Sequence, residues 1–429
     1  MKKSELTRED LEQIVSGACF LASAGGGTYT SGMNLATRFG DTDYYPENKV
    51  RLVEVEEVED EKSGVMVAYI GSPESMEEIY YPIEIVQAVK QLEKQKGTIS
   101  YILPAEIGAI STLAACTTAA KLGLSVVDGD GAGRAVPELS MTTYSLYQKD
   151  VNPVFLASKE ENAYVCLSIA DGTSETAASE VESFVRPTLD VPCFGQKAGL
   201  AMWVLSGAEI KEVIRSRNTL QGCLTLGKYI RERKKEELFK KVKKMGYGQP
   251  QSHRGTGAAI HTSVGGGFDI GKLTFTTDGS AEEDNITVLF QNESLIAWDA
   301  NRSKPLATAP DLISYLVDFA EEDQTEEPYN RWTYSNGDLQ RLDPEKLKRA
   351  AFELVLIGAT PHMYELEEGL QHRYEGALNK RIMNKGVSDS GSHSSSSILK
   401  SFANVLNDLG YYGKISESGV KEKGHDTAK

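Results

Sequence analysis

Hydrophobic and polar residues follow two different periods in the first part of the chain. Several stretches repeat apolar residues at helical spacing, and short continuous apolar runs, bounded by turn residues, lie between them. The first pattern is typical of helices that bury one face, and the second of strands that are buried on both faces. The elements predicted from these patterns are helices at 7–22, 82–95 and 107–123, and strands at 64–70, 98–103 and 124–128.

Strands and helices that alternate at this spacing predict parallel β-α-β units. Residues 1–170 are therefore predicted to form an α/β domain with a largely parallel sheet. Residues 171–383 begin with a helix and then change to glycine-punctuated, β-rich segments, interrupted by one long basic helix at about 219–244. This predicts a β-rich second domain, within which the type of segment 345–357 stays open.

The end of the chain has a different composition. From Asn384 the sequence KGVSDSGSHSSSS is poor in apolar residues and rich in serine and glycine. Such a segment buries too little surface to offset the entropy cost of ordering it. We therefore expect residues 384–429 to be a Ser/Gly-rich linker and flexible tail, with one short helix after Ser397.

Charge and composition restrict the class of partner. The 429 residues carry a formal net charge of -16, which disfavours binding to nucleic acid phosphates. The sequence shows neither a signal peptide nor an apolar run long enough to span a membrane, and its five cysteines are scattered. We expect a cytoplasmic protein with reduced thiols that binds a small-molecule substrate and no nucleic acid or membrane. Homo-oligomerisation stays open.

Three loops fall at or beside the carboxyl ends of the predicted parallel strands, where open α/β sheets bind ligands. The first, SAGGGTYT (residues 23–30), contains Gly25, Gly26 and Gly27. Consecutive glycines let the backbone approach a ligand and present N–H groups to an anion or a carbonyl oxygen. The alternative is a simple helix stop.

The other two loops supply carboxylates. Glu106 lies in PAEIGA (104–109), where it would act as a general base, a metal ligand or a dipole-stabilising residue at a helix start. Asp128 and Asp130 lie in LSVVDGDGAGR, on one side of a strand end if the chain is extended there. Two such carboxylates attract a divalent cation or raise each other's pKa. Arg134 would bind a substrate carboxylate, or would instead neutralise the two aspartates in a purely structural clamp.

The second domain adds further candidates. Asn292 and Glu293 lie near a turn in FQNES, and Asp311 lies in PDLI. His253 and His261 show no zinc-binding spacing, and the glycines at 129, 131 and 133 do not match a dinucleotide or phosphate-loop pattern. A nucleotide site is therefore disfavoured.

The ordered motifs SAGGGT, VAYIGSPES, PAEIGA, LGLSVVDGDGAGRAVPELSM, FQNESLIAW and APDLI resemble the S-methyl thiohydantoin desulfurase family, whose members are linked with hydantoinases and oxoprolinases. The resemblance covers about residues 8–315. It implies an α/β domain joined to a β-rich domain, and hydrolysis at a carbon–sulfur or amide-like centre of a five-membered ring. The chain departs from the family pattern at Ala24, Thr28, Ala109 and Ile110.

Two functional hypotheses follow from the residues and the resemblance together. In the first, the protein is a cytoplasmic hydrolase of an S-methyl thiohydantoin or hydantoin-like heterocycle. Glu106, Asp128 and Asp130 activate water or hold a divalent metal, with Asp128 and Asp130 as metal ligands. Gly25, Gly26, Gly27, Arg134, Asn292 and Glu293 bind the substrate. In the second hypothesis, the protein binds a metabolite without turning it over, or is an accessory subunit of a hydantoinase-type system.

Overall fold

The computed structural model describes most of the first 364 residues and three residues near the carboxyl terminus. The described residues are 3–71, 76, 79–159, 163–265, 268–278, 285–301, 304–364, 402 and 405–406. The predicted linker between Asn384 and Ser397 lies outside them. None of the described helices is long and apolar enough to cross a membrane.

Nine strands in the described part of the chain form the first sheet. They are β1 (Glu5–Leu6), β2 (Val50–Glu54), β3 (Ser63–Gly71), β4 (Tyr101–Pro104), β5 (Ser125–Asp130), β6 (Val154–Ala157), β7 (Tyr164–Leu167), β8 (Lys197–Ser206) and β9 (Ser216–Arg217). The strand order is β1-β2-β5-β4-β3-β8-β6-β7, and β9 pairs with β5. The neighbours β2, β5, β4 and β3 run parallel, which confirms that the three predicted strands share one largely parallel core.

Nine helices of the described chain precede the second sheet in the sequence, and they include the three that the hydrophobic pattern predicts. They are α1 (Arg8–Leu21), α2 (Tyr29–Arg38), α3 (Ile83–Lys96), α4 (Ala109–Leu122), α5 (Thr143–Leu146), α6 (Ala177–Thr188), α7 (Gly207–Val213), α8 (Thr219–Arg231) and α9 (Lys235–Lys244). Thr7 and Asp10 form a capping box that begins α1. The alanine-rich α4 is buried along almost its whole length, as expected for a helix packed closely on a sheet.

The prediction of one long basic helix at 219–244 is wrong, because α8 and α9 are separate. Arg233 has a φ of 51°, in the left-handed region that ends helices. The Lys234 amide donates to the Tyr229 carbonyl oxygen at 2.8 Å, which closes the end of α8. This position usually holds glycine, so an arginine there gives no stop signal in the sequence.

The second sheet is antiparallel throughout. Its strands are β10 (Gln251–Gly265), β11 (Phe268–Thr277), β12 (Asn285–Gln291), β13 (Ser294–Asp299), β14 (Lys304–Thr308), β15 (Leu312–Asp318), β16 (Thr333–Tyr334) and β17 (Ala351–Ile357). They are ordered β14-β13-β12-β11-β10-β17-β15-β16, and the short helices α10 (Asn336–Gln340) and α11 (Pro344–Arg349) connect β16 to β17. The two architectures confirm an α/β domain followed by a β-rich one. The open segment 345–357 contains most of α11 and all of β17.

The two sheets do not divide the chain at residue 170. Strands β8 and β9 come after that residue but belong to the first sheet, where β8 pairs antiparallel with β3 and β6. Helix α8 packs against α1. The first sheet therefore takes its strands from residues 5–217, and the second takes its strands from residues 251–357.

Part of the predicted tail belongs to the core. Phe402, Val405 and Leu406 are buried in the same hydrophobic cluster as residues of α1 and α4. The Phe402 ring lies 4.9 Å from the guanidinium carbon of Arg134. The prediction of a flexible tail gave too much weight to the serine- and glycine-rich run before this segment, because residues 398–409 are themselves rich in apolar side chains.

The cysteines carry no disulfide among the described residues. Cys19, Cys116 and Cys223 are buried, whereas Cys166 and Cys193 are exposed. Burial raises the pKa of the three buried thiols well above the ordinary value. They therefore stay protonated and behave as core residues.

Candidate functional site

A cleft of ≈ 170 Å³ opens where loops of the first domain meet the second. The first domain contributes the glycine loop after α1, the end of β3, the loop after β4 and residues 136–139. The second domain contributes the β12–β13 turn and the start of α10. Ligand sites commonly occur at such junctions, so this cleft is the candidate active site.

The three predicted loops do meet beside this cleft. Gly26 has a φ of 64°, and a Cβ atom there would lie 2.6 Å from Gly108 Cα and 3.0 Å from Ala135 Cβ. The Ile110 amide donates to the Gly26 carbonyl oxygen at 3.0 Å. The Gly131 amide donates to the Ala105 carbonyl oxygen at 3.1 Å, which joins the third loop to the second. Only glycine fits at residue 26.

The glycine loop also contacts the second domain. The Gly26 amide donates to Glu293 Oε1 at 2.8 Å. A Cβ atom on Gly25 would lie 2.2 Å from Glu293 Cγ, so this side chain packs directly on the glycine backbone. The Gly25 amide donates to the Ala22 carbonyl oxygen at 3.2 Å. Two of the three glycine amides are thus used within the protein.

Glu106 lies in the cleft wall with both carboxyl oxygens bonded. Oε1 accepts from Ser111 Oγ at 2.7 Å, and Oε2 accepts from the Val136 amide at 2.6 Å. Burial, together with the nearby charge of Glu293, raises the pKa of Glu106 from 4.5 to about 8. The two hydrogen bonds oppose this shift without cancelling it. Glu106 therefore titrates close to neutral pH.

Asp128 lies outside the cleft and is buried. Its Oδ1 accepts from the amides of Leu220 at 2.8 Å and Gln221 at 3.3 Å, and its carbonyl oxygen accepts from the Asn218 amide at 2.8 Å. Leu220 and Gln221 lie in the first turn of α8, whose own N-cap residue, Asn218, makes no side-chain cap. Asp128 therefore caps a helix whose bonded residue Leu220 lies 92 positions after it in the sequence.

Asp130 stabilises the loop that follows it. Its Oδ1 accepts from the amides of Ala132 at 2.8 Å and Gly133 at 2.5 Å. Burial raises the pKa of Asp130 to about 6, while these backbone bonds oppose the rise. The period of a strand places Asp128 and Asp130 on the same side of β5. Both side chains approach the start of α8, and this side of the strand faces away from the cleft.

Arg134 is buried and bonds to backbone carbonyl oxygens. Its Nε donates to Ala135 at 2.9 Å, one Nη donates to Asp311 at 3.0 Å and to Pro310, and the other Nη donates to Glu293. Burial lowers its pKa to about 10, so the group is still a cation at neutral pH. Three of the four acceptors belong to the second domain. Arg134 therefore joins the acidic loop to that domain and does not line the cleft.

The remaining candidates divide between the cleft and the core. Asn292 lines the cleft at the β12–β13 turn with a φ of 47°, and its carbonyl oxygen faces Asn336 Nδ2 at 3.5 Å. Asp311 is buried and its Oδ1 accepts from the Ala359 amide at 3.2 Å. His253 and His261 both lie on β10, away from the cleft.

No group of three or more His, Cys, Asp or Glu side chains that could hold a metal ion occurs within the described ranges. Asp128 and Asp130 each direct one oxygen at two backbone amides, which leaves fewer lone pairs for a cation. The divalent metal stays a prediction from the sequence.

Sequence reasoning missed one wall of the cleft. Tyr69, Glu138, Glu182 and Arg186 line it. Arg186 donates to Glu182 Oε1 at 2.9 Å and to the Pro137 carbonyl oxygen at 2.9 Å. Burial raises the pKa of Glu182 to about 7. On α6 these two residues have the i, i+4 spacing of an ordinary surface ion pair, so nothing in the sequence marks them.

Comparisons with known proteins match two family models that divide the chain near residue 170, so the second model includes β8 and β9 of the first sheet. Residues 9–168 match the family model described as S-Me-THD-like, N-terminal domain, and residues 176–340 match S-Me-THD-like, C-terminal domain. A crystal structure of a structural-genomics target from Chromobacterium violaceum superposes with a TM-score of 0.75 at 34% sequence identity. The match covers 96% of this chain and 99% of that one. The search of curated proteins gave no match.

Proposed function

This chain belongs to the S-Me-THD-like family, and from that premise we propose that it hydrolyses a small five-membered heterocycle of the thiohydantoin or hydantoin type. The observation that carries the proposal is Glu106. It is a half-buried carboxyl group in a cleft wall, and its pKa of about 8 suits proton transfer at neutral pH. The family resemblance supports the class of substrate.

The reaction on an S-methyl thiohydantoin requires two proton transfers. Water adds to the ring carbon that carries sulfur, the carbon–sulfur bond breaks, and methanethiol leaves with one proton. The attacking water gives up both of its hydrogens as its oxygen becomes the new carbonyl oxygen, so the second transfer carries a proton from the water to the ring nitrogen. We assign the first transfer to Glu106, which holds a proton at neutral pH, and the second to Glu293. Two carboxyl groups in one cleft whose electrostatic environments differ can divide acid and base roles in this way.

The glycine loop has a separate role in this proposal. Because Gly25 and Gly26 donate within the protein, Gly27 and the following Thr28 are the loop residues whose amides we assign to the oxygen that develops negative charge. Asp128, Asp130 and Arg134 then support the site from outside the cleft. A divalent metal is a separate hypothesis, which the metal content of the purified protein tests.

The proposal is tested by incubating the full chain with an S-methyl thiohydantoin and quantifying methanethiol with a thiol reagent and the hydantoin product by chromatography. We expect equimolar products. Glu106→Gln should lower kcat by about 100-fold or more, the contribution of a positioned proton donor. Glu353→Gln is the matched control, because Glu353 is a buried glutamate on β17, ion-paired with Lys235 and outside the cleft.

Equal turnover by Glu106→Gln and the unmodified protein would contradict the assigned role. If thiohydantoins and hydantoins raise the melting temperature but none is turned over, the protein is a metabolite-binding protein instead, since a ligand that binds the native state stabilises it.

A further inference from the structure

We propose that Arg134 and Phe402 are positioning residues for Glu293, and that a buried residue near the carboxyl terminus thereby helps to build the cleft. The inference rests on the proposed function only for its effect on turnover, because the contacts themselves exist without substrate. It assigns a role to Arg134 and Phe402, two buried residues that take no part in the proposed proton transfers.

Arg134 holds the turn that carries Glu293. This turn joins β12 to β13 with only Asn292 and Glu293 between the paired residues Gln291 and Ser294. A guanidinium nitrogen of Arg134 donates to the Glu293 carbonyl oxygen. The Gly26 amide donates to Oε1 of the same residue. Glu293 is therefore fixed at its backbone by one contact and at its carboxylate by another.

Phe402 packs against the guanidinium group of Arg134. The ring is fully buried and its centroid lies 4.9 Å from Arg134 Cζ, within the range of a cation–π contact. A buried guanidinium needs its charge to be compensated, and here the carbonyl oxygens surround its edge while the aromatic ring covers its face. Loss of the ring admits water beside Arg134 and loosens its bonds to the second domain.

The position of Glu293 affects the pKa of Glu106. Burial is the largest cause that raises the pKa of Glu106, and the charge of Glu293 is the second largest. The charge of Asp130 raises it by a smaller amount. Arg134 also interacts electrostatically with Glu106 and opposes them. Glu138, Glu182 and Arg186 are the other charged groups that line the cleft. If Glu293 moves away while Arg134 keeps its charge, the pKa of Glu106 falls toward its ordinary value.

Two variants of the full chain separate positioning from charge. Arg134→Lys keeps the cation and loses the planar set of donors. Phe402→Leu keeps an apolar side chain and removes the ring. The control is Leu406→Ala, which disturbs the same hydrophobic cluster and keeps the Phe402 ring beside Arg134. The readout is the titration of Glu106 by NMR of protein labelled at the glutamate carboxyl carbon, with Glu106→Gln to assign the signal.

We expect the pKa of Glu106 to fall by about half a unit or more in both variants, a threefold change in proton affinity, and to stay within about 0.2 units in Leu406→Ala. An unchanged titration in Phe402→Leu overturns the proposal, and that variant decides if Arg134→Lys does not fold. The same shift in all three variants also overturns it, since loosening of the tail would then suffice. Because the titration needs no substrate, absence of turnover rejects the proposed function separately.

Discussion

Replacing Asp128 by alanine should lower the free energy of unfolding and leave kcat largely unchanged. The side chain accepts two amides at the start of α8, at 2.8 Å and 3.3 Å, and is 1% exposed. Alanine leaves both amides without this acceptor, and Leu220, which carries the shorter bond, is itself buried. The helix also loses a negative charge at the positive end of its dipole.

The expected cost follows from these contacts. Hydrogen bonds to a charged group contribute about 1.5–3 kcal/mol each, and the longer of the two bonds counts for less. We expect Asp128→Ala to lower the free energy of unfolding by about 3–5 kcal/mol. Asp343→Ala is a matched control, because Asp343 accepts two amides in the same pattern at the exposed start of α11, at 2.8 Å and 3.2 Å. Its loss should cost about 1 kcal/mol.

Urea denaturation gives the global change, and hydrogen exchange read by mass spectrometry locates it. The amides of α8 should exchange faster in Asp128→Ala, while the folded fraction keeps its kcat within about threefold. The reasoning is refuted if stability and α8 exchange match those of Asp343→Ala while ligand or metal binding is lost. Asp128 would then be the catalytic or metal-binding residue that the sequence suggested.

Three further predictions follow from burial and backbone geometry. In the folded chain Glu106 has a pKa of about 8, whereas in the unfolded chain it loses its proton near pH 4.5. The free energy of unfolding should therefore fall as pH rises between these values, and Glu106→Gln should flatten that dependence in melting curves. Phe402→Ala should cost about 3–5 kcal/mol and Phe184→Ala, at an exposed site, less than about 0.5, as read by urea denaturation; equal costs would show that the tail is not docked. Gly26→Ala should cost more than Gly123→Ala, because both have a positive φ but only Gly26 meets other atoms within 4 Å; equal melting temperatures would contradict the close approach of the loops.

The parallel core was predictable because its strands are continuous apolar runs that are buried on both faces. Residues 64–70 fall within β3 and residues 124–128 overlap β5, and the helices between the strands show their buried faces in the spacing of apolar residues. The break between α8 and α9 was not predictable. It depends on a left-handed arginine whose side chain pairs with Asp318 and lies 5.9 Å from the Trp332 ring, and both partners come from the second domain.

The candidate site was predictable in part for a similar reason. Glu106 follows a parallel strand, and this position alone directs it to the edge where the cleft forms. The spacing of Asp128 and Asp130 places them on one side of β5, but which side faces the cleft depends on where α8 packs. Arg186 and Glu182 became part of the wall only because α6 folds against residues 136–139, a contact between segments far apart in the sequence.

The proton on Glu106 can be measured without knowledge of the substrate. Glutamate labelled at the carboxyl carbon reports protonation through its chemical shift, and the difference between the unmodified chain and Glu106→Gln isolates the one signal. The half-buried position beside Glu293 predicts a midpoint well above the ordinary range, at about 8. A midpoint near 4.5 would show that Glu106 is an ordinary ionised carboxylate at neutral pH, and the proton donor of the proposed reaction would have to lie elsewhere.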